Sequence, residues 1–182
     1  GTTGTEVSRH YVKSVESYER SFLKSFRFFY GEPSDFVFLA LLPSYLEREA
    51  RPDDPVGRGS SLVHMCNRLI QLSGKKESGF FLNDTQQLKN VLLQCEKTAQ
   101  KTILIGVGFA LLDLAEEFTF HLKHTIVMET GGMKGRKKEI TRDELHQRLI
   151  KSFQTDKIHS EYGMTELFSQ AYSKGNGRFF CP

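Results

Sequence analysis

Phe36-Val37-Phe38-Leu39-Ala40-Leu41-Leu42 follows Asp35, is stopped by Pro43, and is the longest apolar run in the chain. It is far too short to cross a bilayer, and its Phe, Val and Leu content suits a strand. Its residues do not alternate with polar ones. A strand with apolar side chains on both sides of the pleat must be buried on both faces, as strands are when helices cover a parallel sheet twice over.

The neighbouring segments fit that picture. Upstream, Tyr11, Val15, Tyr18, Phe22, Phe26 and Phe29 recur at three- and four-residue steps, one face of a long helix ending near Gly31 and Pro33. Downstream, Ser60-Ser61 can cap a helix carrying Leu62, Cys66, Leu69 and Ile70. Gly79 to Asn83 reads as a short strand, and Asp84 as the cap of a helix with Leu88, Val91, Leu92 and Cys95. Thr102 to Val107 is again uniformly apolar. Phe109 to Leu122 reads as helix and Thr125 to Met128 as strand. Thr141-Arg142-Asp143-Glu144 is a capping box for a helix with Leu145, Leu149 and Phe153, and Ile158 begins a strand that leads into Tyr162. This alternation predicts an α/β fold with a mostly parallel sheet and helices on both faces. Ligands of such sheets bind outside the carboxyl ends of the strands. The segments to inspect are therefore Pro43-Ser44-Tyr45, Gly106-Val107-Gly108, Glu129 to Lys134 and Tyr162 to Glu166.

The 182 residues suit one domain with a sizeable core; 38% are hydrophobic and 26% charged, a globular composition. The formal charge of +3 is mild, and the only short basic run, Lys134 to Lys138, reads as a solvated loop. Nucleic acid is not an expected partner. Cys66, Cys95 and Cys181 are too few and scattered for a disulfide framework or a zinc site, so a reducing cytoplasm is expected. Gly1 falls inside a loop motif, and Phe179-Phe180-Cys181-Pro182 reads as strand, so the chain is expected to be a piece of a longer protein.

Tyr162-Gly163-Met164-Thr165-Glu166 groups a ring, a flexible backbone position, a hydroxyl and a carboxylate behind a strand. The ring can stack on a base, the hydroxyl can reach a phosphate, and the carboxylate can hold magnesium, which prefers oxygen ligands. The competing reading is an amphipathic helix start with Tyr162 in the core. Gly1-Thr2-Thr3-Gly4 offers unshielded N–H groups and two hydroxyls to phosphates, though an isolated stretch of this kind is more readily an ordinary turn. It lacks the Gly-Lys-Ser/Thr of a Walker loop. Gly131-Gly132, within Glu129 to Lys134, would let a flat ligand lie on the backbone; a tight strand-to-helix connection explains the pair equally well. The six histidines show neither metal-ligand spacing nor a nucleophile partner. Cys66 and Cys95 fall on apolar helix faces and read as packing residues.

Together these motifs resemble the AMP-forming adenylating enzymes, the acyl-CoA synthetase-like superfamily. Gly1 to Gly4 looks like the tail of their phosphate loop, Tyr162 to Glu166 like their adenine and magnesium motif, and Gly131-Gly132 like their adenine loop. Within that superfamily the chain resembles the LuxE-type acyl-protein synthetases, which activate fatty acids. The segments carrying that likeness are Leu41 to Arg48, Ser60 to Val63, Phe109 to Asp113 and Glu129 to Arg136.

The resemblance implies that residues 1–182 form a nucleotide-binding fragment of the large N-terminal adenylation domain, without the C-terminal hinge and lid. It implies ATP and Mg2+, a carboxylic acid substrate such as a fatty acid, an acyl-adenylate, and transfer to a protein thiol. Thr2, Thr3 and Gly4, with Gly1 opening the loop, would cradle the β- and γ-phosphates. Gly131, Gly132 and Tyr162, with Gly163 beside the ring, would bind adenine. Thr165 would contact the α-phosphate and Glu166 the magnesium. Tyr45 would lie near the acyl carboxylate, and Ser61 and Leu62 would begin the helix lining the acyl pocket. The chain departs from the pattern at Glu6-Val7-Ser8-Arg9-His10, where relatives often carry Pro-Lys-Gly. The ribose-binding aspartate, the lid lysine and the acyl-accepting cysteine are expected beyond Pro182, so the fragment alone is expected to be inactive or severely impaired. Two other readings stand beside this one: an acid–CoA ligase of the phenylacetate type, and a nucleotide-binding or scaffold module without chemistry.

Overall fold

A computed structural model describes residues 14–42, 61–81, 84–131, 140–164 and 168–181. The expected features at Gly1 to Gly4, Pro43 to Tyr45, Gly132 to Lys138, Thr165 and Glu166 lie outside the described residues.

The described elements run α1 (Val15–Tyr30), β1 (Val37–Leu41), α2 (Ser61–Ser73), β2 (Gly79–Phe80), α3 (Thr85–Lys97), β3 (Thr102–Val107), α4 (Gly108–Glu117), β4 (Thr125–Thr130), α5 (Arg142–Phe153), β5 (His159–Met164) and β6 (Ser169–Ser173). They build a six-stranded sheet in the order β2-β1-β3-β4-β5-β6. β2 through β5 pair in parallel, and β6 joins antiparallel to β5.

The strand Val37–Leu41 is buried at every position, as its uninterrupted apolar sequence requires. Val37, Leu39 and Leu41 face one core with Leu104, Val127 and side chains of α3, α4 and α5. Phe38, Ala40 and Leu42 face the other, with Ile103, Ile105, Met128 and side chains of α1 and α2. The chain steps one way from β1 to β2 and the opposite way from β3 through β5. With right-handed crossovers, that reversal puts α2 on one face and α4 and α5 on the other.

Local capping follows the sequence. The Asp84 carboxylate accepts from Gln87 N at 2.8 Å. Thr141 Oγ1 accepts from Glu144 N at 3.2 Å. Only that arm of the expected capping box forms, because Glu144 Oε1 instead accepts from Arg148 at 2.6 Å.

Four boundaries differ from the sequence expectation. The helix predicted over Phe109 to Leu122 stops at Glu117. Beyond it, Phe120 N and Leu122 N donate to Ser152 O and Phe153 O at the end of α5, and both side chains are buried, so the extended chain closes that core better than another helical turn. β2 ends at Phe80, and Phe81, expected in the same strand, lies beyond it. β4 continues past Met128 through Glu129 and Thr130, held by its ladder to β3. β5 runs to Met164, so Tyr162 and Gly163 lie within a strand rather than behind it. The cause is β6, an antiparallel partner that the sequence pattern did not announce. α1 covers β6: Ser25 Oγ donates to Gln170 O at 2.9 Å, and Ser21 Oγ donates to Phe168 O.

Candidate functional site

The carboxyl ends of β4 and β5 are where the sheet stops being apolar. Register pairs Glu129 with Ser160 and Thr130 with Glu161, and all four are buried. Because successive strand residues face opposite sides, they split into two clusters.

On the α5 side, Glu129 is 2% exposed. Its Oε1 accepts from Arg142 Nε at 3.1 Å and lies 3.6 Å from His146 Nε2. The same His146 nitrogen is 3.4 Å from Ser160 Oγ. Both contacts use one nitrogen, so Ser160, His146 and Glu129 do not form the relay a hydrolytic nucleophile needs, in which the base uses one ring nitrogen and its orienting carboxylate the other.

On the α2 side, Glu161 is 4% exposed. Thr130 Oγ1 donates to its Oε2 at 2.5 Å, and Gln170 Nε2 donates to its Oε1 at 2.8 Å. Gln170 Nε2 also reaches Met65 Sδ on α2 at 3.0 Å. The Gln170 Oε1 and Tyr172 hydroxyl are buried without a partner among the described residues. Burial raises the Glu161 carboxyl from its ordinary value near 4.5 to about 7; the Thr130 bond opposes this and the Glu129 charge adds to it. His159, bonded to the Tyr30 hydroxyl at 3.1 Å, moves the other way, to about 4, through burial and then the Lys157 and Lys174 charges. Burial also pushes the Tyr18, Tyr30 and Tyr172 hydroxyls well up. The buried Cys66 thiol is raised in the same way.

The expected site residues that lie within the described structure fall around these clusters. Gly131 follows Thr130 with φ +69°, the left-handed conformation that glycine adopts without strain. Tyr162 follows Glu161 on the adjacent strand. Its ring is 54% exposed and meets Phe179 edge-on at 6.0 Å. A core tyrosine at a helix start is thereby excluded. Gly163 shares a face with Glu161, and a Cβ there would come within 3.1 Å of Glu161 Oε1 and 3.2 Å of Gln170 Oε1. Gly131, Tyr162 and Gly163 are thus brought to one end of two neighbouring strands.

Ser61 and Leu62 open α2. The Ser61 carbonyl accepts from the Tyr18 hydroxyl at 3.2 Å, and Leu62 packs on the aromatic core. Met65, one turn on, reaches Gln170 and so joins this helix to the Glu161 cluster. Gly1, Thr2, Thr3, Gly4, Tyr45, Gly132, Thr165 and Glu166 lie outside the described residues.

Sequence reasoning did not single out Glu161, Gln170, Arg142, His146 or Phe179. For Glu161 a signal existed: a carboxylate beside Ser160, closing a strand that begins with Ile158, is a polar group in a sheet interior. Gln170 carried none, because β6 itself was not anticipated.

An exposed ring on one strand and a left-handed glycine ending the next suit a flat aromatic ligand. Among the described residues no group of three or more His, Cys, Asp or Glu could hold a metal ion, and no helix is long and apolar enough to cross a membrane.

No protein-family model matches the chain, and no curated protein does. Among solved structures it is similar to a mutant form of Coronafacic Acid Ligase from Pectobacterium brasiliense, with 17% identity and a TM-score of 0.43. The likeness covers 78% of this chain and 24% of that one, so the chain spans about a quarter of its neighbour's length. Neither the identity nor the TM-score is high enough to carry a conclusion on activity to this chain.

Proposed function

We propose that this chain is an adenylation-domain segment of an AMP-forming acid–thiol ligase, with residues 1–182 as one nucleotide-binding α/β unit. The observation that carries the proposal is that left-handed Gly131 and exposed Tyr162 each follow the last paired residues, Thr130 and Glu161, of adjacent parallel strands. The motif resemblance supports it, as does the position, since ligands of such sheets bind at that edge.

In this reading Tyr162 stacks on the adenine while Gly131 and Gly132 lie along its other side. Gly163, beside the ring, leaves room for the Glu161 and Gln170 side chains beneath it. Thr165 donates to the α-phosphate, Thr2 and Thr3 donate to the β- and γ-phosphates within the Gly1–Gly4 loop, and Glu166 ligates magnesium. When bound, ATP and Mg2+ supply an activated phosphorus and a pyrophosphate leaving group. The residues of the chain orient the acid for in-line attack and screen the charge that develops. α2, entered at Ser61 and Leu62 and tied to β6 through Met65, would line the acyl side, with Tyr45 near the carboxylate. The acid is a fatty acid or similar carboxylate, and the acceptor a protein thiol in the cytoplasm.

The test is acid-dependent exchange of pyrophosphate into ATP by the full-length protein, across a panel of carboxylic acids. Exchange is expected with at least one acid, and Glu166→Gln is expected to lower it by at least about a hundredfold with the fold intact. Exchange unchanged in that variant removes Glu166 from the site. Labelled acyl groups appearing on CoA and never on protein would replace the protein-thiol acceptor by the acid–CoA ligase reading. Nucleotide binding without exchange on any acid would leave the non-catalytic module.

A further inference from the structure

Tyr162 is a half-exposed side chain on a strand near the sheet edge, a place where a ring ordinarily samples several rotamers. Here its surroundings restrain it. Phe179 meets it edge-on at 6.0 Å between centroids. The Arg142 guanidinium lies over the other ring, 4.9 Å from the Phe179 centroid. Arg142 Nε donates to Glu129 Oε1 at 3.1 Å, and the Glu129 side chain is only 3% exposed, fixed in the interior of β4. His146 Nε2, 3.6 Å from the same oxygen, flanks that carboxylate. Phe179 is anchored through its neighbour: Phe180 exchanges both backbone hydrogen bonds with Tyr172 of β6, each at 3.0 Å.

We propose that Glu129, Arg142 and Phe179 are positioning residues that fix the Tyr162 ring. This rests on the reading of Tyr162 as the nucleotide's stacking partner. A buried carboxylate sets the guanidinium, the guanidinium sets one ring by cation–π attraction, and that ring sets the next by edge-to-face packing. The line runs from β4 through the first residue of α5 to the segment after β6, so it couples three parts of the fold at the exposed Tyr162 ring. A ring already held in place loses little rotamer freedom when a base stacks on it, and affinity gains by that amount.

The experiment uses the full-length protein with 13C-labelled tyrosine, the Tyr162 ring signal being assigned from Tyr162→Phe. ATP and inorganic tripolyphosphate are titrated calorimetrically into wild type, Phe179→Leu, Arg142→Gln and Arg142→Lys. The expected result is a displaced Tyr162 ring signal in Phe179→Leu and Arg142→Gln, with ATP affinity weakened about three- to tenfold, the scale of one aromatic or cation–π contact. Tripolyphosphate affinity should not change, and Arg142→Lys should keep most of the wild-type signal and affinity. An unmoved Tyr162 signal in both Phe179→Leu and Arg142→Gln overturns the positioning role, whatever happens to ATP. A displaced signal with unchanged ATP affinity also overturns it. Wild type failing to bind ATP overturns the nucleotide reading instead, and the ring signals then still decide whether the three residues hold Tyr162. Should Phe179→Leu melt below the measuring temperature, the Arg142 pair decides alone.

Discussion

One half of the sheet, β1 and β3, is apolar to its last residue, whereas the other half, β4 and β5, turns polar while still buried. Val37 to Leu41 and Ile103 to Val107 present only aliphatic, aromatic or glycine positions to the two cores. At the same height β4 and β5 carry Glu129, Thr130, Ser160 and Glu161. Burying two carboxylates costs stability unless they are bonded, and here each is: Glu129 by Arg142, Glu161 by Thr130 and Gln170. The contrast separates a scaffold from a site. At the scaffold end the backbone packs so tightly that a Cβ on Gly106 would lie 3.0 Å from Leu41 O and from Leu111. At the other end the Gln170 Oε1 is buried without a partner among the described residues and the Tyr162 ring is open to solvent.

Substitutions in the two halves should therefore fail differently. Leu104→Ala, at a fully buried position in β3, should cost about 2–5 kcal/mol in chemical denaturation, the range for emptying a core leucine. A cost below 1 kcal/mol would break the scaffold assignment.

Glu161→Gln should instead produce a pH-dependent difference. The folded carboxyl titrates near 7 and the unfolded one near 4.5, so the wild type's neutral-form advantage is complete below about 4.5 and lost as pH rises through about 7. Relative to Glu161→Gln, wild type should lose on the order of 3 kcal/mol across that window and show no further change above it. His159 is shifted the opposite way, and its contribution is present in both proteins, so it cancels in the difference. A flat difference from pH 4.5 to 7 would contradict the burial of Glu161 as described.

Gly163→Ala should cost about 1–3 kcal/mol, because its Cβ would crowd Glu161 and Gln170 within 3.1–3.3 Å. Its thermal shift checks this, and a neutral shift would show that the Glu161–Gln170 pair can yield.

The sheet was legible because β1, β3 and the start of β4 spell their burial in uninterrupted apolar residues. The capping positions Asp84 and Thr141 were legible for an equally local reason: one side chain satisfies one N–H three residues on. β6 was not legible. Its Ser169-Gln170-Ala171-Tyr172-Ser173 has no helical or strand signature, and only pairing to β5 and the serines of α1 make it a strand. Missing β6 misplaced the end of β5, so Tyr162 and Gly163 were expected in a loop. Tyr162 and Gly163 were readable as candidates within Tyr162 to Glu166. The contacts that link Tyr162 to Phe179, Arg142 and Glu129 were not, since they span up to 37 positions between Arg142 and Phe179 and depend on the fold.

The most direct test of a nucleotide site at the β4–β5 end is photolabelling with 8-azido-ATP, followed by tryptic mapping. The account predicts label on the peptide Ile158 to Lys174, which contains Tyr162, suppressed by excess unlabelled ATP. Suppressible label confined to Thr102 to Lys123, at the scaffold end, would contradict it.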